Sequence, residues 1–254
     1  MARTTHHFKR ASARYKAECL KFGLLEFIEL VKSVSSNYAK ALDLGCGYGY
    51  VALRVARYFQ SIVAVDLNDD CLKKLIETAR RSHILNIEPM LADAHNLLFK
   101  DRTFDLGILR LCLIDAKDPF RVLAEMHRVL KPNSCLVLSE VILPQDIIPV
   151  WTRLGILRYG YKKNFFDYTQ LVTRLRTQGF TIDYMTSGYE LRDLDEQAKM
   201  LGDKPEEFAL LWRTIDRFAC VRPDRGLIVQ KNGKYHMKYE VLNIVARKHS
   251  KCDS

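Results

Sequence analysis

The sequence predicts an α/β fold built on a doubly wound, mostly parallel sheet. Three observations carry this. Apolar strand-like runs alternate with helix-like stretches up to about residue 143, the pattern of a parallel sheet whose crossovers are helices. Residues 134–142 form a largely apolar run, as expected for a strand covered on both faces. The segment Ala41-Leu42-Asp43-Leu44-Gly45-Cys46-Gly47-Tyr48-Gly49-Tyr50 breaks from an apolar strand into a glycine-rich turn spaced D-x-G-x-G-x-G.

Taken in order, residues 8–34 read as one helix, since Phe8, Ala11, Tyr15, Cys19 and Phe22 recur at three- and four-residue spacing between Lys and Arg. Ser35-Ser36-Asn37 turns the chain into the first strand. After the glycine turn, 51–59 reads as helix, and Ile62-Val63-Ala64-Val65 is a second strand ending in Asp66. Asn68 can cap the next helix, whose apolar face is Leu72, Leu75, Ile76 and Ala79. Asp118-Pro119 opens another with a capping acid and proline at the first turn, and Lys131-Pro132-Asn133 ends it. Residues 169–178 read as helix, stopped by Gly179. Residues 180–185 and 240–246 read as the last two strands, with helical patterns at 191–200 and 205–218 between them.

A strand, glycine turn, helix, strand and acid in succession make a nucleoside-binding device. Glycines let the backbone approach a ligand, and an acid ending the second strand can accept ribose hydroxyl protons. The dinucleotide fingerprint is G-x-G-x-x-G. Here the glycines fall at 45, 47 and 49, so the third comes one residue early. Asp43, two residues before the first glycine, suits an ammonium group better than a pyrophosphate.

These residues resemble motif I of the class I S-adenosylmethionine-dependent methyltransferases. Three further segments resemble the same family in order and spacing. Met90-Leu91-Ala92-Asp93-Ala94 is similar to its third strand and adenine-side acid, Phe104-Asp105-Leu106-Gly107-Ile108-Leu109 to its fourth strand, and Glu125-Met126-His127-Arg128-Val129-Leu130-Lys131-Pro132 to the helix end before its fifth. The resemblance covers residues 38–143 well and implies a seven-stranded, Rossmann-like sheet with S-adenosylmethionine as cofactor. It implies that Asp43 faces the methionine ammonium, that Gly45, Cys46, Gly47 and Gly49 present backbone to the methionine portion and ribose, and that Asp66 binds the ribose hydroxyls while Leu67 packs on adenine. Asp93 would accept from the adenine amine, with Ala94 beside the ring. Asp43, Asp66 and Asp93 are also suited to capping or turns. Arg110 interrupts an apolar run; it pairs with an acid such as Asp115 or Glu140, or faces the cofactor carboxylate. The opening Phe8-Lys9-Arg10-Ala11-Ser12-Ala13-Arg14-Tyr15 resembles the ubiquinone/menaquinone-biosynthesis-type enzymes, whose first helix folds over the cofactor. A plain amphipathic helix explains Tyr15 equally.

The 254 residues fit one domain with an elaborated lid. The expected layout is a helical cap at 1–37, a cofactor core at 38–143, lid segments at 144–168 and 187–235, and a last helix and strands at 169–186 and 236–248. No apolar run approaches the ~20 residues of a membrane span, and the first ten residues lack the apolar core of a secretory signal. Seven scattered cysteines without a C-x-x-C pair favour reduced thiols and a cytoplasmic setting. Cys46 reads as a small filler rather than a nucleophile. No metal site is expected. The net charge of +10 admits RNA as a partner, but the basic residues are spread along the chain.

The acceptor site is less legible. Relatives carry two histidines where this chain has Ile114-Asp115, so no acid–base pair is carried over. His95 and Glu140 are the candidates for a general base. Trp151, Tyr159, Tyr161 and Phe165, with Phe166 and Tyr168, are candidates for acceptor contact or for lid core. The expected function is methyl transfer from S-adenosylmethionine to a small-molecule acceptor on O, N or C, mainly by proximity and orientation. The alternatives are an RNA or protein methyltransferase, against which stands the lack of an N-P-P-Y-type tetrad, and a non-catalytic cofactor-binding protein.

Overall fold

A computed structural model describes residues 23–36, 39–159, 162–195, 213 and 228–249. The elements are α1 (Leu24–Ser33), β1 (Lys40–Leu44), α2 (Ala52–Val55) running into a 3-10 turn at Ala56–Tyr58, β2 (Ser61–Asp66), α3 (Asp69–Arg81), β3 (Ile87–Leu91), β4 (Phe104–Arg110), a 3-10 turn at Leu113–Asp115, α4 (Pro119–Val129), β5 (Leu130–Ile142), α5 (Ile148–Tyr159), α6 (Tyr168–Thr177), β6 (Phe180–Asp193), β7 (Ile228–Lys231) and β8 (Lys234–Lys248).

The described residues fall into two compact units. One comprises 23–36, 39–140, 168–186 and 242–249; the other comprises 141–159, 162–167, 187–195, 213 and 228–241. The sheet order is β3-β2-β1-β4-β5-β8-β6. β1 lies parallel to both β2 and β4, with Asp43 opposite Ala64 on one side and Ile108 on the other. The central strands are almost wholly buried, so the hydrophobic effect fixes both faces at once. On one face Phe27, Ile28 and Val31 of α1 pack with Ala41, Ile62, Leu106, Ile108, Val137 and Val245. Leu72 and Leu75 of α3 pack with Ala64 of β2.

The helix starts follow from their caps. Asn68 Oδ1 accepts the N–H groups of Asp70 at 3.0 Å and Cys71 at 3.4 Å. Asp118 Oδ1 accepts those of Phe120 at 3.1 Å and Arg121 at 3.0 Å. Each cap satisfies donors that a helix leaves open at its first turn. The far end of α4 is closed by a buried lysine: Lys248 Nζ donates to the carbonyls of His127 and Leu130 at 2.6 and 2.7 Å.

In the second unit Leu143, Ile147, Trp151, Leu194 and Met237 form a small apolar core. β7 and β8 make an antiparallel hairpin turned at Asn232-Gly233, both at positive φ.

Several expected boundaries differ. Among the described residues the sheet path has the expected seven strands, and β7 pairs with β8 as an eighth off that path. The helix expected over 8–34 does not run unbroken, because Gly23 sits at φ +55° and α1 starts at Leu24; residues 8–22 lie outside the described residues. The strand expected at 180–185 continues to Asp193, so Leu191 lies in a strand rather than a helix. Residues 196–200 and, Arg213 apart, 205–218 lie outside the described residues. β8 starts at Lys234, six residues early. β5 takes in Lys131-Pro132-Asn133, with Asn133 at φ +62° and a register shift against β4 absorbing the expected turn.

Candidate functional site

β1 and β2 end side by side, and the chain beyond each is held by the other. Gly45 N and Cys46 N donate to Val65 O at 2.8 and 3.0 Å. Asp66, which ends β2, uses both carboxylate oxygens on backbone: Oδ2 accepts Gly47 N at 2.7 Å and Oδ1 accepts Asn68 N at 2.8 Å. Burial raises the Asp66 pKa, against which these backbone donors act. The third strand joins the same place, since Ala92 N donates to Asp66 O at 3.2 Å. Sheet order thus brings Asp43, the glycine turn, Asp66 and the segment leading to Asp93 together.

The glycines at 45, 47 and 49 have φ of +73°, +54° and +74°, which L side chains adopt only with strain. Their surroundings differ. A Cβ on Gly45 would stand 2.5 Å from Cys112 Sγ, whereas one on Gly47 would meet no atom within 4 Å. Gly45 is therefore tight against the post-β4 segment, and Gly47 faces open space.

Asp43 is 2% exposed. It accepts a backbone hydrogen bond from Ala52, and among the described residues its Oδ2 has no hydrogen-bond partner. Burial pushes its pKa up to about 7, and Asp66 adds to this; the Ala52 bond and Arg110 oppose it. A buried carboxylate oxygen without a partner is costly, and a cationic amine is the donor that satisfies it best. The open face at Gly47 and the unpartnered oxygen of Asp43 fit an amino-acid-bearing nucleoside such as S-adenosylmethionine. Cys46, between them, has its thiol pushed well up by burial and by Asp43 and Asp66, so it is not a nucleophile at neutral pH.

Asp93 and His95 form one unit. Asp93 Oδ1 accepts the backbone N–H of His95 at 2.9 Å and stands 2.6 Å from its Nδ1. His95 Nε2 accepts the backbone N–H of Asp118 at 3.0 Å. Both ring nitrogens are engaged, which removes His95 as a general base. Glu140 is fully buried and accepts Ile114 N at 3.2 Å; it braces the turn after β4. Arg110 ends β4, 9% exposed, opposite Ser139 of β5. Leu111 follows it at φ +52°, held by its N–H on Ser139 O at 2.8 Å. Leu67 is 43% exposed beside Asp66, and Ala94 is half-buried.

Of the acceptor candidates, the structure brings Trp151 and Phe165 to one cluster. Trp151 is core of the second unit, and Phe165 packs against the same cluster, so both rings are accounted for by packing. Phe166 is buried and bridges Ile142, while Tyr168 is exposed. Tyr159 ends α5, its side chain outside the described residues; Tyr15 and Tyr161 lie outside them altogether. No local pattern signals that Cys112 backs Gly45. The capping signal at Asp118 was visible, but not that its N–H would meet His95.

Comparison with known proteins decides the family. The family described as methyltransferase domain matches residues 41–133. A demethylmenaquinone methyltransferase of Thermotoga maritima is 33% identical over 205 residues, 70% of this chain and 87% of that protein. The chain belongs to the class I S-adenosylmethionine-dependent methyltransferases, with the quinone-biosynthesis enzymes. Another demethylmenaquinone methyltransferase of this family, from Lactiplantibacillus plantarum, is 30% identical over 58% of this chain and 72% of its own length. The human mitochondrial arginine-hydroxylase NDUFAF5 is 34% identical over 42% of this methyltransferase, which spans only 30% of that protein. Among solved structures, a Bacillus halodurans protein described as a methyltransferase aligns with a TM-score of 0.80 over 89% of this chain and 99% of its own, at 20% identity; this shows the fold.

No helix among the described residues is long and apolar enough to cross a membrane. Among the same residues no group of three or more His, Cys, Asp or Glu could hold a metal ion.

Proposed function

We propose that this methyltransferase acts on a small aromatic acceptor of the reduced-quinone or phenol class. The observation that carries the cofactor half is Asp43, a buried carboxylate with one unpartnered oxygen at the root of an open glycine turn. The acceptor half is supported by the names of the two relatives that align over most of their length.

S-adenosylmethionine, when bound, supplies a methyl group already activated on a sulfonium. The chain's task is to bind, orient and exclude water. Asp43 takes the ammonium on Oδ2, with Arg110 beside it. Gly45, Cys46, Gly47 and Gly49 offer backbone to the amino-acid portion and ribose. Asp66, pinned by Gly47 and Asn68, keeps lone pairs for the ribose hydroxyls, Leu67 covers the adenine, and Asp93 accepts its amine next to Ala94. No general base is assigned, since His95 and Glu140 are both spent on backbone donors. A quinol hydroxyl is protonated at neutral pH, as a tyrosine hydroxyl is, so in this reading its proton leaves to water as the acceptor takes the methyl group. We assign acceptor selection to segments 144–168 and 187–235. Among the described residues the cysteines at 46, 71, 112 and 135 form no disulfide, which supports a reducing, cytoplasmic setting.

The test is transfer of labelled methyl from S-adenosylmethionine to a soluble naphthoquinol, run beside tRNA and a protein substrate. Label in the naphthoquinol supports the reading. Label in tRNA or protein alone replaces it with the macromolecular alternative. The match to an arginine hydroxylase favours one further reading, in which the cofactor is held but its methyl is not transferred. Cofactor binding without labelling of any acceptor selects that reading.

A further inference from the structure

The loop after β3 is fastened along one side of α4. Arg121 Nε donates to His95 O at 3.1 Å, Leu97 N donates to Glu125 Oε2 at 2.8 Å, and Arg128 reaches the carbonyls of Leu97 and Phe99 at 2.9 and 2.8 Å. Residues 121, 125 and 128 share a helix face by their spacing. At the head of this seam stands His95, the one member whose side chain also touches Asp93.

The proton positions on His95 follow from its partners. The backbone N–H of Asp118 can only donate, so Nε2 must carry a lone pair. A neutral imidazole then holds its proton on Nδ1, which faces Asp93 Oδ1 at 2.6 Å. Oδ1 receives both the ring N–H and the backbone N–H of His95. Among the described residues Oδ2 is the oxygen left for an outside donor. A carboxylate held at one oxygen by two donors cannot swing, so the direction of Oδ2 is fixed by His95. The contacts also keep Asp93 ionised. Burial pushes its pKa up, but the backbone N–H and the ring hydrogen bond of His95 bring it below the ordinary value.

We propose that His95 is a positioning residue for nucleobase recognition: it aims Asp93 Oδ2 at the 6-amino group of the cofactor's adenine and anchors that aim to the start of α4 through Asp118. The inference rests on the reading of Asp93 as the adenine-side acid. Asp118, already the cap of α4, becomes the fixed point of the arrangement. His95 supplies two separate functions, a donor at Nδ1 and an acceptor at Nε2. Asparagine can imitate the first and glutamine the second.

The experiment compares affinities for S-adenosylhomocysteine and for its analogue with hydrogen in place of the 6-amino group, by calorimetry. The readout is the ratio of the two. A merely structural role would weaken both ligands equally and leave the ratio alone. His95→Ala is expected to lower the ratio about 10-fold, the loss of one charge-assisted hydrogen bond. His95→Asn restores most of it, and His95→Gln does not, although it can still accept from Asp118. Asp93→Ala separates the two layers. If it leaves the ratio at the wild-type value, Asp93 does not read the amine, and the inference falls with that reading. If it abolishes the preference while His95→Ala retains it, the reading stands and the inference is overturned. Equal weakening of both ligands in His95→Ala, or rescue by Gln rather than Asn, also overturns it.

Discussion

Asp66 Oδ2 accepts the backbone N–H of Gly47 at 2.7 Å, so the acid that ends β2 holds the glycine turn that follows β1. The same carboxylate holds the chain after itself through Asn68 N. Asp66 is thus a structural clamp on the cradle before any ligand arrives. Asp66→Ala should lose both bonds and about 2–3 kcal/mol of stability, since bonds to a charged acceptor are the stronger kind. Asp66→Asn should recover part of the stability and little of the affinity for S-adenosylmethionine, because an amide cannot accept from two donors on each side. Denaturant melts with ligand titration separate the two effects.

Gly45 and Gly47 predict opposite failures. Gly47→Ala places a Cβ where nothing stands within 4 Å, so the cost to the fold is the left-handed backbone alone, about 1–2 kcal/mol. The methyl group projects where a ligand would approach, and cofactor affinity should fall much further than the melting temperature. Gly45→Ala drives a Cβ against Cys112, adding overpacking of about 1–3 kcal/mol to the same strain. Its melting temperature should fall more than that of Gly47→Ala.

Ser139 is 1% exposed and its Oγ has no hydrogen-bond partner. Removing an unsatisfied buried hydroxyl relieves its desolvation. Ser139→Ala should raise stability by about 1 kcal/mol, read as a higher denaturant midpoint at unchanged slope.

Asp43 sets a pH dependence. Its carboxyl holds a proton up to about 7 in the fold, against 3.8 when free. Between those values the folded chain binds more protons than the unfolded chain, so this group's contribution to stability is present at low pH and lost as pH rises from about 4 to about 7. Binding an ammonium requires the ionised form. Affinity for S-adenosylmethionine should therefore rise with pH through about 7, with proton release visible as a buffer-dependent heat. Asp43→Asn should flatten both profiles.

The parts of this site that were legible in the sequence are those set by local backbone needs. Three glycines at alternate positions require the positive φ they adopt, and Asn68 and Asp118 cap the helices they precede. Asp43 and Asp66 stand where strand ends place them. What local pattern could not show are partnerships across the fold. His95 reads as a general-base candidate until Asp118, 23 residues on, closes on its ring. Glu140 reads as a strand-end acid until Ile114 N is found against it. The strand through Ser187-Gly188 escaped because those two residues resemble a turn, yet β6 runs on to Asp193 with β8 as its neighbour. The helix pattern over 8–34 concealed its break because Gly23 is silent in an apolar periodicity count.

The unpartnered oxygen of Asp43 is the proposed seat of the cofactor's ammonium. The direct measurement is calorimetric titration of S-adenosylmethionine at pH 8 into the wild-type protein and Asp43→Asn, with the melting temperature of each. The prediction is saturable one-to-one binding to wild type, and binding weaker by about 10-fold or more in a variant that melts at a higher temperature, since a buried charge has been replaced by a neutral group of the same shape. Equal affinity in the two proteins, or no binding to wild type, contradicts it.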